Sequence, residues 1–192
     1  DHRYLHSFPT RRSSDLSKNS PFWDSVMSAV SGIVIWIPLY VAILIWIGMK
    51  YKKKFWIILP FIIFAATLAD LSSVHLFKNV FHRLRPCHEP SLQGMVHLVD
   101  GYCGGLYGFV SSHASNSFNV AVLSLLIIRE KWFTIFIIFW AVIIGYSRIY
   151  LGVHYPGDVV CGAILGAFIG WGSYKLFRIA ERKTASGEKS LK

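Results

Sequence analysis

The chain has 192 residues, enough for one domain. Only 16% of them are charged and 54% are hydrophobic, with a mean hydropathy of +0.46, whereas soluble domains average about 25% charged residues. This composition predicts an integral membrane protein and argues against a soluble one. The net charge of +10 does not indicate a nucleic-acid partner, because the basic residues lie between apolar segments. In that position they are typical of topology signals and of contacts with anionic lipids.

The N-terminal segment differs from the rest of the chain. Residues 1–16 are rich in Arg, Ser and His, and they lack the apolar core of a signal peptide. We expect residues 1–19 to be a disordered, non-native leader; a genuine polar tail is the alternative. Residues 20–180 are expected to form the membrane domain, and residues 181–192 a cytoplasmic polar tail.

Five apolar segments follow the leader, each near the roughly 20 residues that cross the hydrocarbon core of a bilayer. They cover residues 23–49 (or 27–49), 55–77, 112–128, 132–147 and 156–177. Because lipid cannot satisfy open backbone hydrogen-bonding groups, helices are expected. The sequence therefore predicts an all-α, polytopic transmembrane bundle of about five spans, with six in an untruncated chain.

The loops between these spans predict the orientation of the protein. The ends of the first, third and fifth spans are rich in Lys and Arg, so the positive-inside rule makes that face cytoplasmic. The opposite face collects three polar clusters, at residues 78–86, 111–113 and 147–158. Their convergence predicts one composite site on the extracytoplasmic face of a bacterial inner membrane.

The clusters supply the groups that phosphate chemistry needs. Cleavage of a phosphate ester requires neutralised charge, an in-line nucleophile and a proton for the leaving oxygen. Lys78, Arg85 and Arg148 are candidates for the neutralising cations. Ser111 and Ser112 lie where the third span starts, and the free N–H groups at a helix N-terminus bind anions.

Two histidines can divide the catalytic work. Asp158 lies four residues after His154 and can accept a hydrogen bond from one ring nitrogen, which leaves the other nitrogen free to attack. His154 is therefore the predicted nucleophile. His113 is the predicted acid, and it later acts as the base on water. The sequence has no carboxylate cluster and no zinc-type Cys/His spacing, so we predict neither a metal ion nor another cofactor.

The three clusters together resemble the signature of the type 2 phosphatidic acid phosphatase superfamily, the lipid phosphate phosphatases. The resemblance is carried by Lys78-x6-Arg85-Pro86, Ser111-Ser112-His113 and Ser147-Arg148-x5-His154-x3-Asp158. It implies a phosphohistidine on His154, acid–base work by His113, support from Asp158, and phosphate binding by the cations, the serines and backbone amides. Ser112 departs from the family pattern Pro-Ser-Gly-His; the backbone N–H is kept, but the local turn differs.

Several alternatives stay open at this point. The expected partners are the bilayer and a lipid phosphate or diphosphate substrate, with undecaprenyl diphosphate first. Phosphatidylglycerol phosphate, phosphatidic acid and lipid A phosphates are its rivals. The alternative functions are a lipid phosphotransferase and a non-catalytic binder, although a binder would need only the cations. Cys87 and Cys103 share the oxidising face and form a candidate disulfide. The sequence does not predict the oligomeric state.

Other residues have less specific interpretations. Asp70 lies within the second span and needs a polar partner there, expected to be Ser72, Ser73 or a basic residue on another span. Arg83 falls at an unspecified position of the first motif and is interpreted as a loop or interface residue. Small residues at a spacing of four predict close helix packing in the last span: Gly162, Gly166 and Gly170.

Overall fold

The computed structural model describes residues 20–190, including their side chains except those of residue 100 and residues 185–190. The expected leader, residues 1–19, lies outside the described residues. Within residues 20–190 the chain is mainly helical, and its β-type pairing is a single bridge between Leu84 and Tyr107. The predicted all-α fold class is confirmed.

Seven α-helices form the bundle within the described residues. They are α1 (Pro21–Ser31), α2 (Ile37–Tyr51), α3 (Phe55–Leu71), α4 (Asn79–Phe81), α5 (Ser112–Ile128), α6 (Lys131–Tyr150) and α7 (Pro156–Ser190). A π-helical segment, Ser72–Lys78, joins α3 to α4. The loop between α4 and α5 contains three short 3-10 turns, at Pro86–His88, Pro90–Leu92 and Val99–Gly101. The described part of the predicted polar tail continues α7 as helix.

Three helical stretches among the described residues are long and apolar enough to cross a membrane. They are Val34–Phe81, Lys131–Tyr150 and Pro156–Thr184, and α5 is a shorter apolar helix. The first stretch holds two predicted spans, because the 3-10 turn Lys52–Lys54 joins α2 directly to α3. α2 and α3 run antiparallel. The end of α2 lies at the last turn of α5, where Tyr51 donates to Ile127 O, whereas the segment after α3 lies at the start of α5, where Ser73 contacts Ser112.

The first span differs from its prediction. A continuous helix over residues 23–49 was expected, but Gly32 adopts an extended backbone and separates α1 from α2. The indole N–H of Trp36 donates a hydrogen bond to Val30 O at 2.8 Å, which stabilises the break. A helix over the whole segment would have exceeded the roughly 20 residues that a bilayer needs. Instead, α1 is a separate helix that packs against α6.

Close contact between α5 and α7 sets the centre of the bundle. A Cβ added at Gly162 would lie 2.5 Å from Ser111 O, and one added at Gly166 would lie 2.0 Å from Ser115 O. At Gly170 it would meet the backbone of α5 at 2.8 Å. The glycines therefore let two helix backbones approach more closely than any side chain would allow. This contact places the N-terminal ends of α5 and α7 side by side.

The two ends of the bundle differ in chemistry. At the basic end, Lys50 donates a hydrogen bond to Ile128 O and Tyr51 donates to Ile127 O. Lys54 pairs with Glu181 at 3.0 Å. Large apolar side chains cover the outer surface between the ends, including Phe64, Phe139 and Phe168. All three polar clusters lie at the end opposite the basic one.

Candidate active site

The start of α5 is anchored to the start of α7. The N–H of Ser111 donates to Asp158 O at 3.0 Å, and the Ser111 hydroxyl caps α5 by accepting from the N–H of Ala114 at 3.5 Å. Ser111 is fully buried, so its polar groups position the helix terminus. The N–H groups of Ser112 and His113 lie in the first turn of α5, where helix geometry supplies no intrahelical acceptor. They are suitably placed to bind an anion.

The π-helical segment brings Lys78 to this terminus. Lys78 Nζ donates a hydrogen bond to Ser112 Oγ at 2.7 Å. The hydroxyls of Ser112 and Ser73 lie 2.7 Å apart, and Ser73 in turn donates to Asp70 O at 2.8 Å. Ser112, which replaces the glycine of the family pattern, therefore holds the Lys78 ammonium group directly. Because Ser73 gives its proton to Asp70 O, the Ser112 hydroxyl donates to Ser73 and accepts from Lys78, so it positions the ammonium group.

His154 lies in the loop between α6 and α7 with its ring almost completely buried. Its Nε2 is 3.3 Å from Nη1 of Arg85, and its Nδ1 is 3.6 Å from Oδ2 of Asp158, slightly beyond hydrogen-bonding distance. Because a guanidinium group only donates, Nε2 must carry the lone pair, and the ring proton lies on Nδ1, facing the carboxylate. Nε2 is thus the ring nitrogen with the free lone pair, on the side of the ring where Arg85 lies.

Burial keeps this ring neutral. It lowers the pKa of His154 to about 4, and the positive charges of Arg85 and Arg148 act in the same direction, while Asp158 opposes them. The ring is therefore uncharged at neutral pH, with one proton on Nδ1 and a free lone pair on Nε2.

Asp158 has a partner that the sequence analysis did not assign. Its Oδ1 accepts a hydrogen bond from Nη1 of Arg83 at 2.9 Å, and its Oδ2 accepts one from the N–H of Tyr155 at 3.0 Å. The Arg83 guanidinium also lies over the Tyr155 ring, 4.3 Å from its centroid. The interpretation of Arg83 as a loop residue missed this ion pair. An available signal was its position two residues before Arg85, because alternate residues of an extended segment face the same side.

Arg148 and His113 complete the group of charged and titratable side chains. Arg148 is buried at the end of α6, and its Nη1 donates a hydrogen bond to Ser31 Oγ at the end of α1. The groups that act electrostatically on His113 are Arg148, His154, Lys78 and Arg85. The structure therefore brings all eight predicted catalytic and phosphate-binding residues to one end of the bundle.

The loop that carries Arg85 is held on both sides. Arg85 N–H donates to Leu106 O at 3.2 Å, and Gly108 N–H donates to Arg83 O at 2.8 Å. A disulfide joins Cys87 to Cys103. A Cβ at Gly104, the residue after the second cysteine, would lie 3.5 Å from the Arg85 guanidinium. The bridged loop therefore packs its backbone directly against the arginine.

A cavity of about 470 Å³ extends from this site into the bundle. Ser112 and His113 line one end of it, and apolar residues such as Ile47, Leu123 and Ile127 line the other. Its size falls within the range of about 300–1,000 Å³ that is usual for ligand pockets. The cavity thus joins the start of α5, where Lys78 donates to Ser112, to a mainly apolar interior.

Comparisons with known proteins agree with this arrangement. The family model of the PAP2 superfamily matches residues 55–182. The chain is 42% identical over 171 residues to a lipid A 4'-phosphatase of Bacteroides thetaiotaomicron, covering 87% of this chain and 74% of the relative. It is 32% identical over 166 residues to a lipid A 4'-phosphatase of Porphyromonas gingivalis, covering 85% and 70%. An undecaprenyl-diphosphatase of Sulfolobus acidocaldarius is 32% identical over 146 residues, covering 74% and 63%.

Two solved structures share the fold. A transmembrane PAP2-type phosphatidylglycerolphosphate phosphatase from Bacillus subtilis superposes with a TM-score of 0.62 at 24% identity, covering 89% of this chain and 83% of that one. LpxE of Aquifex aeolicus superposes with a TM-score of 0.60 at 23% identity, and the match covers 85% of this chain and 92% of that one.

The fold and the relatives define an integral membrane phosphatase, a hydrolase of phosphoric esters. The chain belongs to the PAP2 superfamily, as the motif resemblance predicted.

Proposed function

We propose that this protein hydrolyses a lipid phosphate through a phosphohistidine on His154. The observation that carries the proposal is the setting of the His154 ring, with Nε2 facing Arg85 at 3.3 Å and Nδ1 facing Asp158 at 3.6 Å. A binder would need the cations but not a buried neutral imidazole with a carboxylate behind it. The apolar cavity that ends at His113 suits the tail of a lipid substrate.

In the first chemical step, Nε2 of His154 attacks phosphorus, and the bond between phosphorus and the leaving oxygen breaks. His113 gives its proton to that oxygen, so the lipid alcohol leaves neutral. The positive charge that develops on the imidazolium is stabilised by Asp158. The phosphoryl oxygens are held by Lys78, Arg85 and Arg148, with the N–H groups at the start of α5.

In the second step, His113 takes a proton from water as the water oxygen attacks phosphorus. The bond between nitrogen and phosphorus breaks, and inorganic phosphate leaves with the pair of electrons returned to Nε2. Every step uses side chains of this chain and water. A phosphotransferase would follow the same path with a lipid hydroxyl in place of water.

A lipid A-type phosphate monoester is our first candidate substrate. The relatives named for lipid A match at 42% and 32% identity over 171 and 166 residues, whereas the relative named for undecaprenyl diphosphate matches over 146. Undecaprenyl diphosphate, which the sequence reasoning placed first, becomes the second candidate. Either lipid would enter from the extracytoplasmic leaflet of a bacterial inner membrane, because the basic end of the bundle favours the cytoplasm.

Phosphate release from a panel of lipids in detergent tests the proposal. The panel contains lipid A, undecaprenyl diphosphate, phosphatidylglycerol phosphate and phosphatidic acid, with a chelator present. Wild-type protein and His75→Ala, which alters an exposed histidine outside the site, should release phosphate, and His154→Ala should not. Activity that survives His154→Ala contradicts the mechanism, and activity that a chelator abolishes indicates a metal-dependent one. Radiolabel that appears in a second lipid in place of free phosphate indicates a phosphotransferase.

A further inference from the structure

Several polar side chains of the cavity have no part in the mechanism above, and two of them form a pair. Asp70 of α3 and Asn116 of α5 both line it, next to Ser112 and His113. Asn116 Nδ2 donates a hydrogen bond to Asp70 Oδ1 at 3.4 Å. The sequence predicts Ser72, Ser73 or a basic residue as the partner of Asp70. In the structure the Asp70 carboxylate accepts from an amide, and Ser73 donates to the Asp70 backbone carbonyl instead of the carboxylate.

These side chains have hydrogen-bonding capacity to spare. Asn116 Oδ1 is buried and has no hydrogen-bond partner among the described residues. Asp70 is exposed to the cavity, and an ionised carboxylate offers about four acceptor positions, of which the Asn116 contact uses one. The unfilled positions are acceptors, so they call for a ligand with O–H or N–H donors. A carboxylate so near a phosphate site would be unfavourable unless a bound group offset it.

The position of the pair along α5 shows which part of a substrate it would meet. Asn116 is four residues after Ser112 and three after His113, so all three share a helix face. Asn116 lies about one turn deeper than Ser112, since four residues span about 6 Å along the helix axis. A phosphate bound at Ser112 and Lys78 would therefore place the atoms next to the phosphate at the level of Asp70 and Asn116. The deeper wall of the cavity is mainly apolar, with Asn119 and Ser124 as its polar residues on α5.

We propose that Asp70 and Asn116 form a headgroup site that accepts hydrogen bonds from hydroxyl or amide groups next to the substrate phosphate. This inference rests on the proposed function and narrows its substrate class. A sugar or glycerol headgroup carries such donors. In undecaprenyl diphosphate the second phosphate lies next to the one that is cleaved, and ionised phosphate oxygens are acceptors, so the acceptors of the site stay unfilled. The site therefore selects hydroxyl- or amide-bearing lipid phosphates over polyprenyl ones.

Two glycerolipids with identical acyl chains provide the test. Phosphatidylglycerol phosphate has a hydroxyl beside its terminal phosphate, and phosphatidic acid has no donor beside its phosphate; lipid A serves as a second donor-bearing substrate. Asp70→Leu and Asn116→Leu should lower kcat/KM for the donor-bearing lipids by about 10- to 100-fold and leave kcat/KM for phosphatidic acid unchanged or higher. Asp70→Asn keeps one acceptor oxygen and should retain part of the selectivity. Thr67→Leu, an exposed polar-to-leucine change on the same helix, is the matched control and should change neither.

The outcomes separate this inference from the proposed function. If Asp70→Leu lowers kcat/KM equally for all lipids, Asp70 acts on Lys78 or on the fold, and the headgroup site is overturned. The headgroup site is also overturned if neither leucine variant changes the ratio of kcat/KM between donor-bearing lipids and phosphatidic acid. In either case wild type remains active and His154→Ala inactive, so the proposed function stands. If wild type releases phosphate from no lipid of the panel, the proposed function fails, and the headgroup site fails with it.

Discussion

Removal of the Arg83 side chain is the most direct test of how the site is organised. Asp158 is fully buried and accepts one hydrogen bond from Arg83 at 2.9 Å and one from a backbone N–H. Breaking a fully buried ion pair costs about 3–5 kcal/mol, but the Arg83 side chain is 45% exposed, so solvent screening reduces that figure. A hydrogen bond to a charged group, worth about 1.5–3 kcal/mol, is the better measure.

We expect the lost hydrogen-bond energy to weaken the hold of Asp158 on the His154 ring and so to raise the barrier of the chemical step. Arg83→Ala should then lower kcat by roughly 10- to 150-fold. KM should change little, because Arg83 acts through the carboxylate. Arg83→Lys should recover part of kcat, since lysine keeps the charge but not the planar fork of donors. The assay is initial-rate phosphate release with the best lipid of the panel.

Arg178→Ala provides a matched control for this change. Arg178 donates to Glu181 at 2.8 Å, and its side chain is 38% exposed. The variant therefore removes an arginine–carboxylate pair of similar exposure on the arginine side, but at the basic end of the bundle. Its kcat should equal that of wild type. A raised KM with unchanged kcat in Arg83→Ala would show that Arg83 binds the phosphate directly. Wild-type kinetics would show that the pair with Asp158 has no part in catalysis.

Three further predictions follow from the site and the helix packing. The acid limb of the pH profile of kcat/KM should lie near the His154 pKa of about 4 rather than near 6.5. Arg85→Gln removes a cation that lowers this pKa, so the acid limb should move to higher pH. A shift of the acid limb to lower pH contradicts the assignment. Gly166→Ala should lower both the melting temperature and the activity, because the added Cβ would clash with Ser115 O. In the control Gly172→Ala the added Cβ meets nothing within 4 Å, so both quantities should stay at their wild-type values. Equal melting temperatures for the two variants would refute the close packing. Reduction of the disulfide between Cys87 and Cys103 should lower the melting temperature and the activity together, since a disulfide that closes a loop of this length stabilises the folded state by about 3 kcal/mol. Unchanged activity after complete reduction would show that the disulfide does not hold Arg85 in place.

Much of the site could be read from the sequence because the motifs lie at segment ends. Hydropathy marks the spans, and the number of spans between clusters decides which face each cluster occupies. That reasoning placed Lys78, His113 and His154 at one end of the bundle, and the structure brings these side chains together there. It missed the break in the first span at Gly32, because a single glycine among apolar residues does not show whether a helix is interrupted there.

Ser112 shows where a motif stops being informative. The sequence indicated only that it replaces a glycine and keeps its backbone N–H. The structure adds that its hydroxyl lies 2.7 Å from both Lys78 Nζ and Ser73 Oγ. Those contacts depend on the π-helical segment, whose irregular turn has no recognised signal in the sequence.

By itself, the sequence determined that this is a membrane protein of helical spans with three polar motifs at span ends, because hydropathy, charge and motif spacing are properties of neighbouring residues. The tertiary structure alone decided three pairings: Arg83 with Asp158, Arg148 with Ser31, and Asp70 with Asn116. Their members lie 75, 117 and 46 residues apart in the chain. Such pairs form only when the packing of helices and loops brings distant segments together.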